Sequence, residues 1–219
     1  MNPENKLHYH TTSTLLLNVL KILLACNELD EFRLVGGTAL SLLKGHRQSA
    51  DIDLFTDAEY GSINFDEIDQ YLRNAYPYVD TSDYPNTGMD KSYFIGYDRE
   101  DCIKLDLFYT DKFIDKLLLI DDIRLASVGE IIAMKLDVIS RGGRKKDFWD
   151  IHELMNDFTL QHMLDLHKRR YPYSHDPLLI REKLTDFNLA DRDFDPMCLL
   201  GKHWELIKLD LLELVRETF

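Results

Sequence analysis

The sequence predicts an α+β protein, with a mixed sheet and flanking helices in residues 1–120 and a helical domain in residues 121–219. Three observations support this fold class. Short β-rich runs alternate with helical patterns in the first half of the chain, and only helical patterns follow Ser127. The 219 residues, 45 % of them hydrophobic, suffice for one core with a helical addition. The helical domain is expected to pack on the core and complete a cleft.

The first predicted element is a helix over residues 14–26, whose apolar side chains recur at helical spacing. It is too short to span a bilayer and contains Asn18 and Lys21, so no membrane association is expected. A short strand then ends at a glycine pair, and helices and strands alternate after it. The predicted ranges are a strand over 32–35, a helix over 39–44, a strand over 51–55 and an amphipathic helix over 65–74.

The middle of the chain combines a loop pattern with a hairpin pattern. Residues 76–87 are rich in Tyr, Pro, Asp and Asn, which is typical of a loop. Residues 93–97 and 102–109 are β-rich, and the polar residues 98–101 between them fit a turn. We therefore expect these two runs to pair as a hairpin.

Helix signals dominate after Ser127. Ser127 and Glu130 have the spacing of a capping box, and the apolar helix that follows is expected to stop at Gly142 and Gly143. Further helices are predicted over residues 146–155, 160–169, 178–184 and 201–216.

The charge and the cysteines limit the class of protein. A net charge of −13 argues against a protein that coats nucleic acid, although local basic grooves stay open. The cysteines do not have metal-ligand spacing, so free thiols in a cytoplasmic protein are expected. The candidate grooves are Lys44 with His46 and Arg47, Arg141 with Arg144 to Lys146, and residues 167–170.

Acidic residues alternate with apolar residues in two of the predicted strands. Asp51 and Asp53 leave the same face of their strand, and Asp106 shares a face with Lys104. If the two strands are neighbours, three carboxylates converge and repel one another, so the cluster favours a cation such as Mg²⁺. The alternative for Asp-x-Asp is an exposed strand face or a turn.

The glycine pair adds a second signal beside these acids. Gly36 and Gly37 lack a Cβ, so their backbone can approach a phosphate, and the N–H groups of the following helix favour an anion. Thr38 is placed to cap that helix or to donate its hydroxyl to phosphate. The alternative is a tight strand-to-helix connection.

Four motifs in this order resemble the AbiEii/AbiGii abortive-infection toxins, a family of nucleotidyltransferases in the DNA polymerase β-like superfamily. The resemblance is good over residues 14–155 and looser beyond them. The motifs are Gly36-Gly37-Thr38-Ala39-Leu40, Arg47-x-Ser49-x-Asp51-Ile52-Asp53-Leu54, Lys104-Leu105-Asp106 and Arg144-x-Lys146-Asp147-x-x-Asp150.

The resemblance implies a role for each matched residue. Gly36, Gly37 and Thr38 match the turn that holds the triphosphate. Asp51 and Asp53 match the pair that binds catalytic magnesium, in a two-metal site whose third carboxylate and candidate base is Asp106. Arg47 and Lys146 are expected on the nucleotide side, and Lys135 is expected to reach toward the nucleotide. Asp147 is expected to orient Lys135 or Arg144 rather than to bind metal. Each role has an alternative. Arg47 could be a surface arginine, Lys135 a snorkelling lysine on an amphipathic helix, and Asp147 an acid that complements the dipole at a helix N-terminus.

The implied reaction is transfer of a nucleoside monophosphate from a nucleoside triphosphate to an acceptor hydroxyl. The resemblance implies an RNA acceptor, tRNA in particular, growth arrest as the outcome, and a cognate antitoxin. Two alternatives stay open. The net negative charge also fits a protein or small-molecule acceptor, and a catalytically silent nucleotide-binding regulator would have the same residues at the site.

Overall fold

The computed structural model describes residues 6–81 and 90–217. Within them the chain forms two compact units. The first unit comprises the residues up to Lys44 together with Ser49–Ala126, and the second comprises Gly45–Gln48 together with the residues from Ser127 onward. The division after Ala126 lies beyond the predicted boundary at residue 120, because the sheet continues to Leu125.

One mixed sheet forms the centre of the first unit. Over the described residues its strand order is β3-β4-β5-β2-β1-β7-β6. The parallel pairs are β2 with β5 and β1 with β7, and the other neighbours are antiparallel. The strands are β1 Arg33–Leu34, β2 Asp51–Thr56, β3 Tyr78–Thr81, β4 Asp90–Gly96, β5 Cys102–Tyr109, β6 Leu118–Ile120 and β7 Ile123–Leu125.

Three helices of the first unit are α1 Thr14–Leu24, α2 Gly36–Lys44 and α3 Phe65–Ala75. Ser13 begins α1, since its hydroxyl accepts a hydrogen bond from the Leu16 N–H at 3.0 Å, and Asn64 caps α3 in the same way. The predicted mixed sheet with flanking helices is therefore confirmed. The structure corrects one start, because α2 begins at Gly36 itself and not at residue 39.

Three strands were missed by the sequence analysis. β3 lies in the predicted loop 76–87, where Tyr78, Val79 and Thr81 are good strand formers that pair with β4; residues 82–87 of that loop lie outside the described residues. β6 and β7 form a hairpin whose turn residues Asp121 and Asp122 have φ of 50° and 64°. Aspartate tolerates this left-handed conformation better than most residues, which makes the turn possible without glycine.

The described part of the second unit is helical, as predicted. Ser127 caps α4, because its hydroxyl accepts from the Glu130 N–H at 3.0 Å. Aromatic side chains form part of the core of this unit: Trp149 and Trp204 stack with ring planes 8° apart, and both are buried. The helices are α4 Val128–Ser140, α5 Lys145–Leu154, α6 Leu160–Arg170, α7 Pro177–Leu184 and α8 Trp204–Arg216.

No helix in the described residues has both the length and the apolar character needed to cross a membrane.

A buried histidine in α6 predicts a pH dependence of stability. Burial and the neighbouring His175 lower the pKa of His167 from 6.5 to about 4. The unfolded chain binds this proton more readily, so stability is lost as the pH falls from about 6.5 toward 4. We expect His167→Gln to reduce that acid-induced loss of unfolding free energy by about 2 kcal/mol, after allowance for solvent screening.

Urea unfolding at pH 7 and pH 4.5 measures this difference. The control is His162→Gln on the exposed side of the same helix, which should leave the pH dependence unchanged. Equal pH dependence in wild type and His167→Gln would contradict the expectation.

Candidate active site

The candidate acids of the first unit lie on two neighbouring parallel strands. In the register of β2 with β5, Asp53 is opposite Asp106 and Asp51 is opposite Lys104. Register partners on adjacent strands point to the same face, and the strands are about 4.8 Å apart. The structure thus brings together on one face the three carboxylates that the sequence analysis selected.

The alternating burial of β2 explains why the acids occupy this face. Ile52 and Leu54 are fully buried, whereas Asp51 and Asp53 are half-buried. Because side chains alternate along a strand, burial of the apolar set against the helices of the unit directs both acids to the opposite face.

Asp106 is the most enclosed of the three acids, with 8 % of its surface exposed. Its Oδ1 accepts a hydrogen bond from Ser92 Oγ at 2.6 Å, across the antiparallel register of β4 with β5. Its Oδ2 forms an ion pair with the Lys104 ammonium, which comes from the same face of the same strand. Both oxygens of Asp106 therefore already have partners within the sheet.

The glycine turn lies directly against Asp53. Gly36 has a φ of +68°, and a Cβ added to it would lie only 2.7 Å from Asp53 Oδ2. The Val35 N–H also donates to the main-chain oxygen of Asp53 at 2.9 Å. A side chain at position 36 would be strained and would displace the carboxylate, so glycine is required here for two independent reasons.

Thr38 faces inward, where it supports the strand that carries the acids. The residue is 1 % exposed, its hydroxyl donates to the main-chain oxygen of Asp51, and Ser49 Oγ lies 2.8 Å away. These contacts join α2 to the start of β2. They favour a structural role for the hydroxyl, while its predicted contact with phosphate stays a prediction.

We expect Gly36→Ala to weaken divalent-cation binding at least tenfold, because the new Cβ moves the Asp53 carboxylate. The left-handed backbone should cost a further 1–2 kcal/mol, roughly, of unfolding free energy. Gly61→Ala is the matched control: its φ is +83°, but nothing lies within 4 Å of the added Cβ. Titration with Mn²⁺ and urea unfolding of both variants check the result. Equal cation affinity in the two variants would contradict the proposed contact.

The remaining candidates form a buried charge cluster within the second unit. Lys135 of α4 is 6 % exposed, and its Nζ lies 2.6 Å from Asp147 Oδ1 and 2.8 Å from Asp150 Oδ2. Asp147 also accepts from the Arg144 main-chain N–H at 2.9 Å, which fixes it at the start of α5. Lys135 therefore does not extend to the surface as a snorkelling lysine would.

Asp150 is the centre of this cluster. It is fully buried, and Arg47 binds it through two nitrogens, Nε at 2.6 Å and Nη2 at 2.8 Å. His46 Nε2 lies 2.7 Å from the same carboxylate. The groove predicted from Lys44, His46 and Arg47 is thus wrong for the last two residues, which are buried and paired. This burial favours a structural role for Arg47, whose predicted contact with the nucleotide stays a prediction.

Electrostatics explains how these charges remain buried. Burial alone would raise the pKa of Asp150, but Lys135 and Arg47 lower it well below its usual value. Burial also disfavours the charged form of Lys135, yet Asp150 and Asp147 raise its pKa above 10.5. Each ion is stable in the interior because its partners compensate for the lost hydration.

Two further candidates lie on α5 and α6. Lys146 is half-buried in the first turn of α5. Arg170, assigned to a basic groove, is 3 % exposed and forms an ion pair with the buried Glu130. Sequence reasoning missed the contact of Ser92 with Asp106 in the first unit and that of His46 with Asp150 in the second, because a lone histidine or serine in a sequence does not reveal its partner in space.

The donor set in the first unit fits a divalent cation held by two carboxylates. Asp51 and Asp53 supply hard oxygen ligands, and the glycine at position 36 lets the Asp53 carboxylate lie against the turn. In residues 6–81 and 90–217, no three His, Cys, Asp or Glu side chains converge as a ready ion cage. The engaged oxygens of Asp106 are consistent with this finding.

Solved structures of other proteins share the fold of this chain. A putative nucleotidyltransferase from Helicobacter pylori is 23 % identical, with 93 % of this chain and 91 % of that chain covered and a TM-score of 0.56. MenT4, a nucleotidyltransferase toxin from Mycobacterium tuberculosis, is 13 % identical, with 92 % and 82 % covered and a TM-score of 0.60. At these identities the likeness concerns the fold.

Sequence comparison identifies the family. An uncharacterised protein of Aquifex aeolicus is 31 % identical over 150 residues, which cover 65 % of this chain and 67 % of the relative. A family model described as "Nucleotidyl transferase AbiEii toxin, Type IV TA system" matches residues 19–218. The chain therefore belongs to the AbiEii family of nucleotidyltransferase toxins of type IV toxin–antitoxin systems.

Proposed function

We propose that this transferase moves a nucleoside monophosphate from a nucleoside triphosphate to a hydroxyl group of RNA, with tRNA as the acceptor. The observation that carries the proposal is the register of Asp51 and Asp53 beside the Gly36 turn. Family membership supports the transfer chemistry. The choice of RNA rests on the resemblance described above and on exposed cations of the second unit, among them Arg141, Arg144, Lys168 and Arg169.

In the proposed reaction the acceptor oxygen forms a bond to the α-phosphorus, and the bond from that phosphorus to the β-phosphate oxygen breaks. Pyrophosphate leaves, and the proton of the hydroxyl is released to water. A Mg²⁺ ion held by Asp51 and Asp53 would neutralise charge on the phosphates. The first N–H groups of α2, at Gly36 and Gly37, would bind phosphate oxygens, because the first N–H groups of a helix have no partner within it.

The buried cluster of the second unit has a positioning role in this proposal. Lys135 and Arg47 compensate Asp147 and Asp150, so the charges of the cluster are already balanced within the protein. We propose that the cluster holds the first turn of α5 and Lys146 in place. Lys146 is half-buried, and its contact with the nucleotide stays a prediction from the resemblance.

A protein acceptor is the second candidate, and the net charge of −13 favours it. RNA binding depends on neutralising phosphates and is opposed by a strongly acidic surface. We also propose a cytoplasmic location, since Cys26, Cys102 and Cys198 are all free thiols. The family implies an antitoxin as a genetic partner, and we propose a cognate one for this chain.

The experiment incubates the protein with each α-labelled nucleoside triphosphate, Mg²⁺, total RNA and a protein lysate. The control is Asp51→Asn/Asp53→Asn. Label in a tRNA-sized band with wild type alone supports the proposal and names the base. Label in protein favours the second candidate, and nucleotide binding without any transfer would favour the silent regulator.

A further inference from the structure

We propose that Lys104 takes the place of a second metal ion, so that this site binds one divalent cation, on Asp51 and Asp53. The inference rests on the proposed function and replaces the two-ion site, with Asp106 as the third ligand, that the resemblance implied. It depends on the contacts of Asp106 and on the position of Lys104 in the sheet.

Both carboxylate oxygens of Asp106 are already engaged by other side chains. Ser92 donates to Oδ1 at 2.6 Å, and the Lys104 ammonium is paired with Oδ2. Magnesium requires short, nearly octahedral contacts to its oxygen ligands. An ion on Oδ2 would have to displace an ammonium group that the same strand holds beside it, and an ion on Oδ1 would have to displace the hydroxyl.

The position of Lys104 in the sheet also supports the inference. Its register partner on β2 is Asp51, so the lysine leaves the same face as the two proposed metal ligands. Its side chain is 40 % exposed, which leaves the ammonium accessible to a ligand from solvent. The ammonium therefore combines a fixed anchor at Asp106 with access to a phosphate oxygen.

The formal charge of the side chains on this face also favours a single ion. Asp51, Asp53, Asp106 and Lys104 together carry a formal charge of about −2 at neutral pH. One divalent cation balances this charge, whereas a second would leave an excess of positive charge and would lie next to the ammonium. The group is thus complementary to a single ion.

These contacts and charges give each residue a different expected role. Lys104 is the residue that contacts a phosphate oxygen and supplies positive charge to it. Asp106 and Ser92 are positioning residues, because they act by holding the ammonium in place. Asp106 is then neither a metal ligand nor the base for the acceptor hydroxyl.

The test counts bound Mn²⁺ on the full chain by the loss of the free-ion signal in electron paramagnetic resonance. We expect one ion per chain for wild type and two for Lys104→Met, since removal of the ammonium frees Asp106 Oδ2. Lys104→Arg keeps the cation and should bind one. Lys91→Met is the matched control: Lys91 lies on β4 opposite Leu107, faces the other side of the sheet and pairs with Asp69 at 3.3 Å.

Two ions in wild type, or one ion in Lys104→Met, would overturn the inference while leaving the transferase proposal intact. Absence of Mn²⁺ binding in every variant would overturn the inference and the metal site together. Correct counts without transfer of label to any acceptor would instead refute the proposed function alone.

Discussion

Asp53→Asn should lower the rate of nucleotidyl transfer by roughly a thousandfold or more, which corresponds to about 4 kcal/mol of lost transition-state stabilisation. The amide cannot neutralise a divalent cation, and metal-ion charge stabilisation contributes several kcal/mol to such reactions. Asp53 contacts the glycine turn and lies opposite Asp106, so the substitution affects the centre of the proposed site. Single-turnover transfer of labelled nucleotide measures the effect.

The same variant should be at least as stable as wild type when no divalent ion is added. Carboxylates opposite one another on adjacent strands repel, and Asp53→Asn removes that repulsion from Asp106. Asp80→Asn is the matched control, since Asp80 is an exposed acid on the edge strand β3 of the same sheet and should leave both properties unchanged. Activity within tenfold of wild type in Asp53→Asn would remove the metal assignment.

Asp150→Asn is expected to lower the free energy of unfolding by about 3–5 kcal/mol, because it leaves the Arg47 and Lys135 charges buried without their shared carboxylate. Asp150 is fully buried, and an amide provides only one acceptor oxygen for these cations. Urea unfolding followed by tryptophan fluorescence is a suitable measurement, since Trp149 is adjacent in sequence and 1 % exposed.

Asp210→Asn serves as the control for this change. Asp210 pairs with His152 at 2.8 Å, but its side chain is 51 % exposed, and surface pairs contribute about 0–1 kcal/mol. A loss below about 1 kcal/mol in Asp150→Asn would show that the carboxylate charge does not compensate the two cations.

The fold was largely predictable because its signals are local. The alternation that directs Asp51 and Asp53 away from the core, the hydroxyl cap at Ser127 and the helical spacing after it are all properties of neighbouring residues. The missed strands had weak local signals. β3 is a short edge strand in a polar segment. The β6–β7 turn has Asp121 and Asp122 at positions where tight hairpin turns usually contain glycine.

The charge cluster around Asp150 was only partly predictable. The spacing of Asp147 and Asp150 places both on one helix face, and this is a local property. Their partners Lys135, His46 and Arg47 come from segments 12 to 104 residues away in the chain. No local pattern distinguishes these buried side chains from a solvated basic surface, so His46 and Arg47 were assigned to a groove.

The sequence by itself determined the fold class and the acids that share a strand face, because residue type and short-range periodicity decide both. The resemblance to the family rested on four motifs in order along the chain. Tertiary structure alone decided that Asp106 faces Asp53, that Lys104 and Ser92 occupy its oxygens, and that Asp150 is shared by Lys135, Arg47 and His46. Those contacts depend on strand register and helix packing, through which residues distant in the chain become neighbours. A charged side chain acquires its role from such neighbours, since they determine whether it is hydrated, paired or available to a ligand.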